Sequence, residues 1–223
     1  MTPISLLLRN FRGTSLHLSW KTQISTAKGH SSFSVCLCSS IIIIIIVGVV
    51  TDLTNPSSPP PLFSLAFDEN ETYEEQNRIS ALLLGNAIPK HLIGTTDDTF
   101  YTHYSEIATI EANWDLPTLG RHDVGANVFA FVAKHTHDEI RTLKNPPLAQ
   151  TFLNASYPGV FNSLTPAPLP IPNTTLVVNG RRVLESIVDT WGSPELQKCT
   201  VYTGALEIAS AVNPPVLPAG CRA

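Results

Sequence analysis

Six consecutive isoleucines, residues 41–46, are followed by the proline-rich stretch TNPSSPPPL and divide this chain of 223 residues into two dissimilar parts. A packed core needs apolar residues spaced to the period of a helix or strand, and a homopolymeric run beside a proline tract has no such spacing. We therefore expect residues 1–60 to be poorly structured and residues 61–223 to form one domain.

The apolar run around these isoleucines is about 16 residues long, whereas a helix that spans a bilayer needs roughly 20. Some 30 residues precede it, a longer and more mixed leader than a signal peptide has. Two interpretations remain: a signal anchor formed by residues 35–50, or a mistranslated stretch, which we favour. Membrane contact is expected only under the first.

Composition excludes several classes of function. The net charge is −4, and no lysine or arginine stripe with interleaved aromatic residues occurs, so we expect no nucleic-acid binding. The motifs of P-loop NTPases, α/β-hydrolases, zincins and zinc fingers are also missing from the sequence. Eighteen prolines, half of them in the last third, predict long surface loops.

Glycosylation sequons and cysteines bear on the compartment. Acceptor triplets begin at Asn70, Asn154 and Asn173, which favours a secreted, extracellular or cell-wall glycoprotein. Cys199 and Cys221 lie in loop-like sequence, where they form either a disulfide or two free thiols. The sequence leaves both alternatives, and the oligomeric state, open.

Two apolar runs predict neighbouring strands. LFSLAF (62–67) has the length and continuity of a central strand covered on both faces, and RISALLLG (78–85) ends in glycine. Further along, Asn179-Gly180 between apolar runs predicts a β-hairpin. The segment VDTWGSP that follows is expected to form a turn holding Trp191.

Helical spacing begins after residue 102. His103, Ile107, Ile110 and Trp114 recur on one face, which we expect to be buried, with Thr102 as N-cap and Pro117 preventing continuation. A second helix is predicted over 124–137, with Asp123 as N-cap and these inward residues: Val124, Val128, Val132. Two strands followed by two helices predict part of an α/β sandwich.

Asp68 and Glu69 follow the first strand directly. Adjacent strand residues point to opposite faces, so the two carboxylates converge only if the backbone turns after Phe67. Two anions at the edge of an apolar layer repel unless a cation lies between them, which a divalent metal would supply. Solvated loop carboxylates are the alternative, and chemistry alone favours it.

The histidines have structural alternatives as well. A lone histidine on a helix face is usually a hydrogen-bonded core residue, although His103 in a first turn is also placed near N–H groups that favour phosphate. His135 and His137 lie two apart near a helix end, where their side chains diverge, and we assign them a structural role.

Three ordered segments carry a resemblance to a known family: FDENETY, residues 82–133 with the motif FYTHYS, and NTTLVVNGRRVLESIVDTWGS. Over about residues 61–212 the chain resembles the C-terminal half of the fungal secreted acid phosphatases. These belong to the phosphoesterase family that includes bacterial phospholipase C, in the alkaline-phosphatase-like superfamily. The resemblance implies a partial alkaline-phosphatase-like α/β sandwich.

The resemblance also implies a site. In that family the carboxylates matching Asp68 and Glu69 contribute to a divalent metal centre, and the histidine matching His103 faces it as a phosphate or metal contact. The implied substrate is a phosphomonoester. The family's Glu-Asn pair and hydroxyl nucleophile have no counterpart in residues 1–60, so we expect little or no activity from these 223 residues. A phospholipase C-like phosphodiesterase and a non-catalytic secreted glycoprotein remain as alternatives.

Overall fold

The computed structural model describes residues 4–9, 42–45, 62–67, 79–142, 169–206 and 217–221. The chain divides into two compact units, one made of 6–68 and 80–97, the other of 1–5, 69–79 and 98–223. We call them the sheet unit and the helical unit. Within the described residues, no helix is both long and apolar enough to cross a bilayer.

The described residues form a five-stranded sheet in the order β2-β3-β4-β1-β5, and all but the first residues of β1 and β4 belong to the sheet unit. The bounds of the strands are β1 Ile4–Arg9, β2 Ile42–Ile45, β3 Phe63–Phe67, β4 Ile79–Leu84 and β5 Thr96–Asp97. A 3-10 turn, Lys90–Leu92, lies between β4 and β5. Strands β3 and β4 confirm the two predicted strands and their pairing. The first two strands fall within residues 1–60, where none was predicted.

Strand β3 lies inside the sheet and pairs antiparallel with both neighbours. Phe67 is opposite Ile42 of β2, and Phe63 is opposite Leu84 of β4. Burial alternates, because Ser64 and Ala66 are buried while Phe67 is 39% exposed. The expectation that both faces are covered alike is therefore wrong for this strand: the antiparallel pairing leaves one face partly open.

The helical unit is built on α1, His103–Asn113, which packs against α2, His122–Gly125, and α3, Ala130–Thr136. A hairpin follows, β6 Val177–Val178 and β7 Arg181–Arg182. Both turn residues have positive φ, 46° at Asn179 and 82° at Gly180, which is the geometry that an Asn-Gly hairpin turn requires. The predicted hairpin is confirmed.

The inward face of α1 differs from the predicted one. Ile107 and Trp114 are 36% and 38% exposed, and the residues that are buried are small or polar: Ser105, Glu106, Ala108, Thr109, Glu111, Ala112. Small side chains let α1 approach its neighbours closely. Thr109 stays buried without penalty because its hydroxyl donates to the Ser105 carbonyl at 2.6 Å and accepts from the Phe129 N–H at 3.0 Å.

The second predicted helix is broken in two between α2 and α3. Asn127 causes the break: its fully buried amide donates to the carbonyls of Phe100 and Arg141 and accepts the Arg141 N–H, all within 3.0 Å. These bonds to distant backbone fix Asn127 and the chain around it in a conformation that a continuous helix does not allow. Val124, Val128 and Val132 are nevertheless buried, as the spacing predicts.

The end of the chain holds two more helices, α4 Glu185–Trp191 and α5 Pro194–Gln197. Trp191 therefore ends a helix, and the predicted turn is wrong, because Gly192 ends α4 and Pro194 opens α5 where proline is well tolerated. Cys199 and Cys221 form a disulfide with a Cα–Cα distance of 5.3 Å, which confirms the bridge.

One junction joins three distant segments of the helical unit. Gly120, at φ 72°, accepts the backbone N–H of Asn173 at 2.8 Å, and the Asn173 side chain donates to the Tyr202 carbonyl at 2.8 Å. The Asn173 carboxamide oxygen also accepts the Thr175 hydroxyl at 2.7 Å. The third predicted sequon thus has an asparagine whose side chain is a structural tie.

Candidate functional site

The structure describes one of the three predicted site residues, His103. Asp68 and Glu69 lie outside the described residues, directly after the last residue of β3. His103 is the first residue of α1 and is partly exposed, so its predicted position in the first turn is confirmed, whereas its burial is not. Within the described residues, no group of three His, Cys, Asp or Glu side chains could hold a metal.

The first turn of α1 is firmly held. The Thr102 N–H donates to the Ser105 hydroxyl at 3.1 Å, and the Ser105 N–H donates to the Thr102 carbonyl at 2.8 Å, so Thr102 is the N-cap as predicted. Tyr101, fully buried, packs edge-on against Phe129 and accepts the Ala130 N–H at 2.8 Å. His103 is therefore carried on backbone that is tied to α3.

Three aromatic rings and one guanidinium group lie together beside this turn. The His122 ring lies 4.9 Å from Tyr104 and 4.8 Å from Tyr202, measured between centroids. Arg121 stacks over Tyr202 and donates to its hydroxyl at 3.2 Å and to the Pro170 carbonyl at 2.5 Å. Burial, with Tyr202 nearby, raises the pKa of Tyr104 above its usual value. The stack fixes the residue next to His103.

Asp123 organises the loop that leads into α2. Its two carboxylate oxygens accept the backbone N–H groups of Leu119 and Arg121, each at 2.8 Å. It lies inside α2, so the prediction that it is the N-cap is wrong: Arg121 holds that position. Its side chain caps the preceding loop instead, which orients Arg121 and His122.

Glu111, on the buried face of α1, faces Asp123. Glu111 is 5% exposed and Asp123 is 3% exposed. Burial, and next the charge of Asp123, raise the pKa of Glu111 to about 8, although Arg181 partly opposes this. Glu111 therefore keeps its proton at neutral pH, where an ordinary glutamate is ionised.

A second buried carboxylate is paired with a cation. Arg181 donates to Asp138 at 2.5 Å and 3.3 Å, and both side chains are at most 6% exposed. Burial alone would raise the pKa of Asp138, but hydrogen bonds from Arg181 and Thr136 outweigh it and lower that pKa. The ion pair joins the hairpin to the end of α3.

Arg141 lies beside a cavity of about 400 Å³ whose wall includes Val124, Asp138, Leu176, Asn179 and Gly204. Its guanidinium donates to the carbonyls of Gly204 at 2.6 Å and Val124 at 3.0 Å. Burial lowers the pKa of Arg141. Because its guanidinium N–H groups donate to backbone carbonyls, Arg141 has a structural role and has few donors left for an anionic ligand.

Sequence reasoning missed the arginine, the rings and the carboxyl pair. The tetrapeptide GRHD, residues 120–123, was the available signal, since an aspartate side chain readily accepts hydrogen bonds from neighbouring backbone N–H groups. Glu111 gave no signal, because a glutamate in the middle of a helix normally faces water.

Curated proteins with similar sequences share one type of name. The chain is 48% identical over 132 residues to a probable acid phosphatase of Kluyveromyces lactis, which is 58% of this chain and 30% of that protein. It is 50% identical over 101 residues to the phosphate-repressible acid phosphatase of Penicillium chrysogenum, 44% of this chain and 23% of the relative.

An acid phosphatase of Aspergillus niger is 59% identical over 75 residues, 34% of this chain and 18% of the relative. The matched part is thus less than a third of each of these proteins. No protein-family model and no solved structure matches the chain.

These names indicate the class of hydrolases that act on phosphate esters. Within that class, the resemblance to fungal acid phosphatases is confirmed by relatives that are 48–59% identical over the matched residues. The described residues show mixed helices and strands with small sheets, and the alkaline-phosphatase-like sandwich stays a prediction.

Proposed function

We propose that this chain is part of an acid phosphatase-type phosphomonoesterase that acts outside the cell. One observation carries the proposal: 48% identity over 132 residues to a protein named as a probable acid phosphatase. The Cys199–Cys221 disulfide supports the location, since such bridges persist in oxidising compartments. The three sequons agree with it.

The proposed chemistry would use a divalent metal together with residues of this chain. Asp68 and Glu69 offer hard carboxylate oxygens, which suit a divalent cation, directly after β3. The pairing of β3 is antiparallel, so the rule that places ligands at the carboxyl edge of parallel sheets gives no support here. A bound metal would stabilise charge on the phosphoryl oxygens.

His103 would contact the phosphate from the first turn of α1. That turn is suited to holding a side chain in a fixed place, because Thr102, Ser105 and Tyr101 anchor it by hydrogen bonds. A partly exposed imidazole there can donate a proton or a hydrogen bond to an oxyanion.

Metal binding tests the carboxylates. We expect the chain to bind a divalent cation, measured by titration calorimetry with Mg²⁺, Ca²⁺, Mn²⁺ and Zn²⁺ in turn, and Asp68→Ala to abolish the binding. Asp97→Ala, which removes another carboxylate of the sheet unit, is the control and should bind as the wild type does. Equal binding by all three proteins would exclude the carboxylates from the site, and no binding by a normally folded chain would favour a non-catalytic glycoprotein.

Turnover tests the completeness of the catalytic machinery. We expect the 223 residues, purified with divalent metal, to hydrolyse p-nitrophenyl phosphate little or not at all, because the family's hydroxyl nucleophile has no counterpart in residues 1–60. Robust turnover would contradict this. A longer form that carries the nucleophile should prefer this monoester to phosphatidylcholine, and the opposite preference would support the phosphodiesterase.

A further inference from the structure

The strongest unassigned feature is the cluster of buried charges between α1, α2 and the hairpin. It contains three carboxyl groups, Glu111, Asp123 and Asp138, and one guanidinium, Arg181, all of them at most 9% exposed. If all four were ionised, the cluster would hold two uncompensated negative charges. Buried charges without partners are too costly to persist.

The available cations are already engaged. Arg181 points two of its nitrogens at Asp138, and its Nε atom has no hydrogen-bond partner. Arg121 donates from its guanidinium to Pro170 and Tyr202. On α3, which also packs on α1, Lys134 and His135 are exposed, and on α2 the His122 ring lies between two tyrosines.

Hydrogen bonding decides which carboxyl group takes a proton. Asp123 accepts one backbone N–H group at each carboxylate oxygen, so both of its oxygens have donors. In Glu111 the Oε1 atom is buried and has no hydrogen-bond partner, and the favourable effects of Arg181 and of a backbone hydrogen bond from Leu119 do not outweigh burial and the charge of Asp123. Glu111 is therefore the group that stays neutral, and its O–H can donate to Asp123.

We propose that Glu111 and Asp123 form a buried proton-binding site, and that this shared proton makes the helical unit selectively stable in acid. The proton ties α1 to the loop that orients Arg121 and His122. Above its titration the two anions repel at the contact between α1 and α2. The raised pKa of Glu111, produced by burial and by Asp123, agrees with this arrangement.

The direction of the pH effect follows from linkage. Glu111 has a higher pKa in the folded chain, about 8, than the ordinary value of 4.5 that it regains on unfolding. Its contribution to stability is therefore complete below pH 4.5 and is lost as pH rises toward about 8. This proposal rests on packing and charge, and stands or falls independently of phosphatase activity.

Glu111→Gln is the decisive variant, because glutamine keeps the shape and donates an N–H to Asp123 at every pH. Melting of the full chain with its disulfide intact is followed by circular dichroism across the pH range. We expect the wild-type melting temperature to fall by about 5 °C or more relative to the variant as pH rises to 8. Glu195→Gln, in an exposed carboxylate of α5, should follow the wild type.

A direct readout covers a variant that does not fold. Side-chain carboxyl carbons of the wild-type chain, labelled with ¹³C-glutamate, are titrated by NMR. A glutamate should titrate near pH 8, and Asp123→Asn should lower that midpoint, which would assign it to Glu111 and not to the buried Glu106. The proposal is overturned if every glutamate titrates at its ordinary value, or if Glu111→Gln has the wild-type pH profile.

Discussion

Replacing Arg181 by alanine is expected to lower the free energy of unfolding by about 3 kcal/mol or more, the usual cost of leaving one member of a buried ion pair. In the wild type the Asp138 carboxylate lies 2.5 Å from the Arg181 guanidinium and is largely excluded from water. In the variant this carboxylate would stay buried without its cation. Chemical denaturation of the full chain, followed by circular dichroism, measures the loss.

Arg182 provides a matched control. It is the next residue of β7, has the same chemistry and is exposed, so Arg182→Ala should change stability by no more than about 0.5 kcal/mol. A double variant, Asp138→Asn with Arg181→Met, removes both charges and should recover much of the lost stability. If Arg181→Ala and Arg182→Ala cost the same, the ion pair does not hold the hairpin to α3.

Removing the disulfide should lower the free energy of unfolding by a similar amount. The bridge joins residues 22 apart, and closing a loop of that length stabilises a fold by about 3 kcal/mol in the chain-entropy account. We expect the double variant Cys199→Ser, Cys221→Ser to unfold at a clearly lower guanidinium concentration than the oxidised wild type.

Reductant supplies the internal comparison for that prediction. Reduced wild type should unfold where the double variant does, and reductant should leave the double variant unchanged although Cys36 and Cys38 remain. A double variant that matches the oxidised wild type would show that the bridge contributes nothing to stability.

Local chemistry explains which parts of this fold could be predicted. The strand runs 62–67 and 78–85 and the Asn179-Gly180 turn each carry their signal within a few residues. The structure confirms all three. They were predictable because β-propensity and the positive φ of a turn depend on residues that are adjacent in sequence. Thr102 was identifiable for the same reason: a cap is defined by the turn that it begins.

Long-range packing explains the errors. The stripe of His103, Ile107, Ile110 and Trp114 has correct helical spacing, but α1 turns its small and hydrogen-bonded face inward. Asn127 breaks a regular apolar pattern through partners 27 and 14 residues away, Phe100 and Arg141, which no local window contains. The spacing of hydrophobic residues therefore predicts that a helix forms, whereas the elements packed against it determine which of its faces is buried.

The candidate site was predictable only through resemblance. Chemistry alone favours solvated carboxylates at Asp68 and Glu69, and those residues remain a prediction. The carboxyl pair is the opposite case. Glu111 and Asp123 are buried together by the packing of α1 on α2, so their shared proton becomes evident only from the three-dimensional arrangement.

The surroundings of Gly120 limit which residues can replace it. A Cβ atom at that position would lie 2.8 Å from the Asn173 carbonyl oxygen and 3.1 Å from a Val183 methyl group, on backbone with φ 72°. The obstacle is main chain, which cannot step aside as a flexible side chain does. In a library randomised at codon 120 and selected for secretion, glycine should be the survivor, while its neighbour Leu119, 38% exposed, accepts a wide range of replacements.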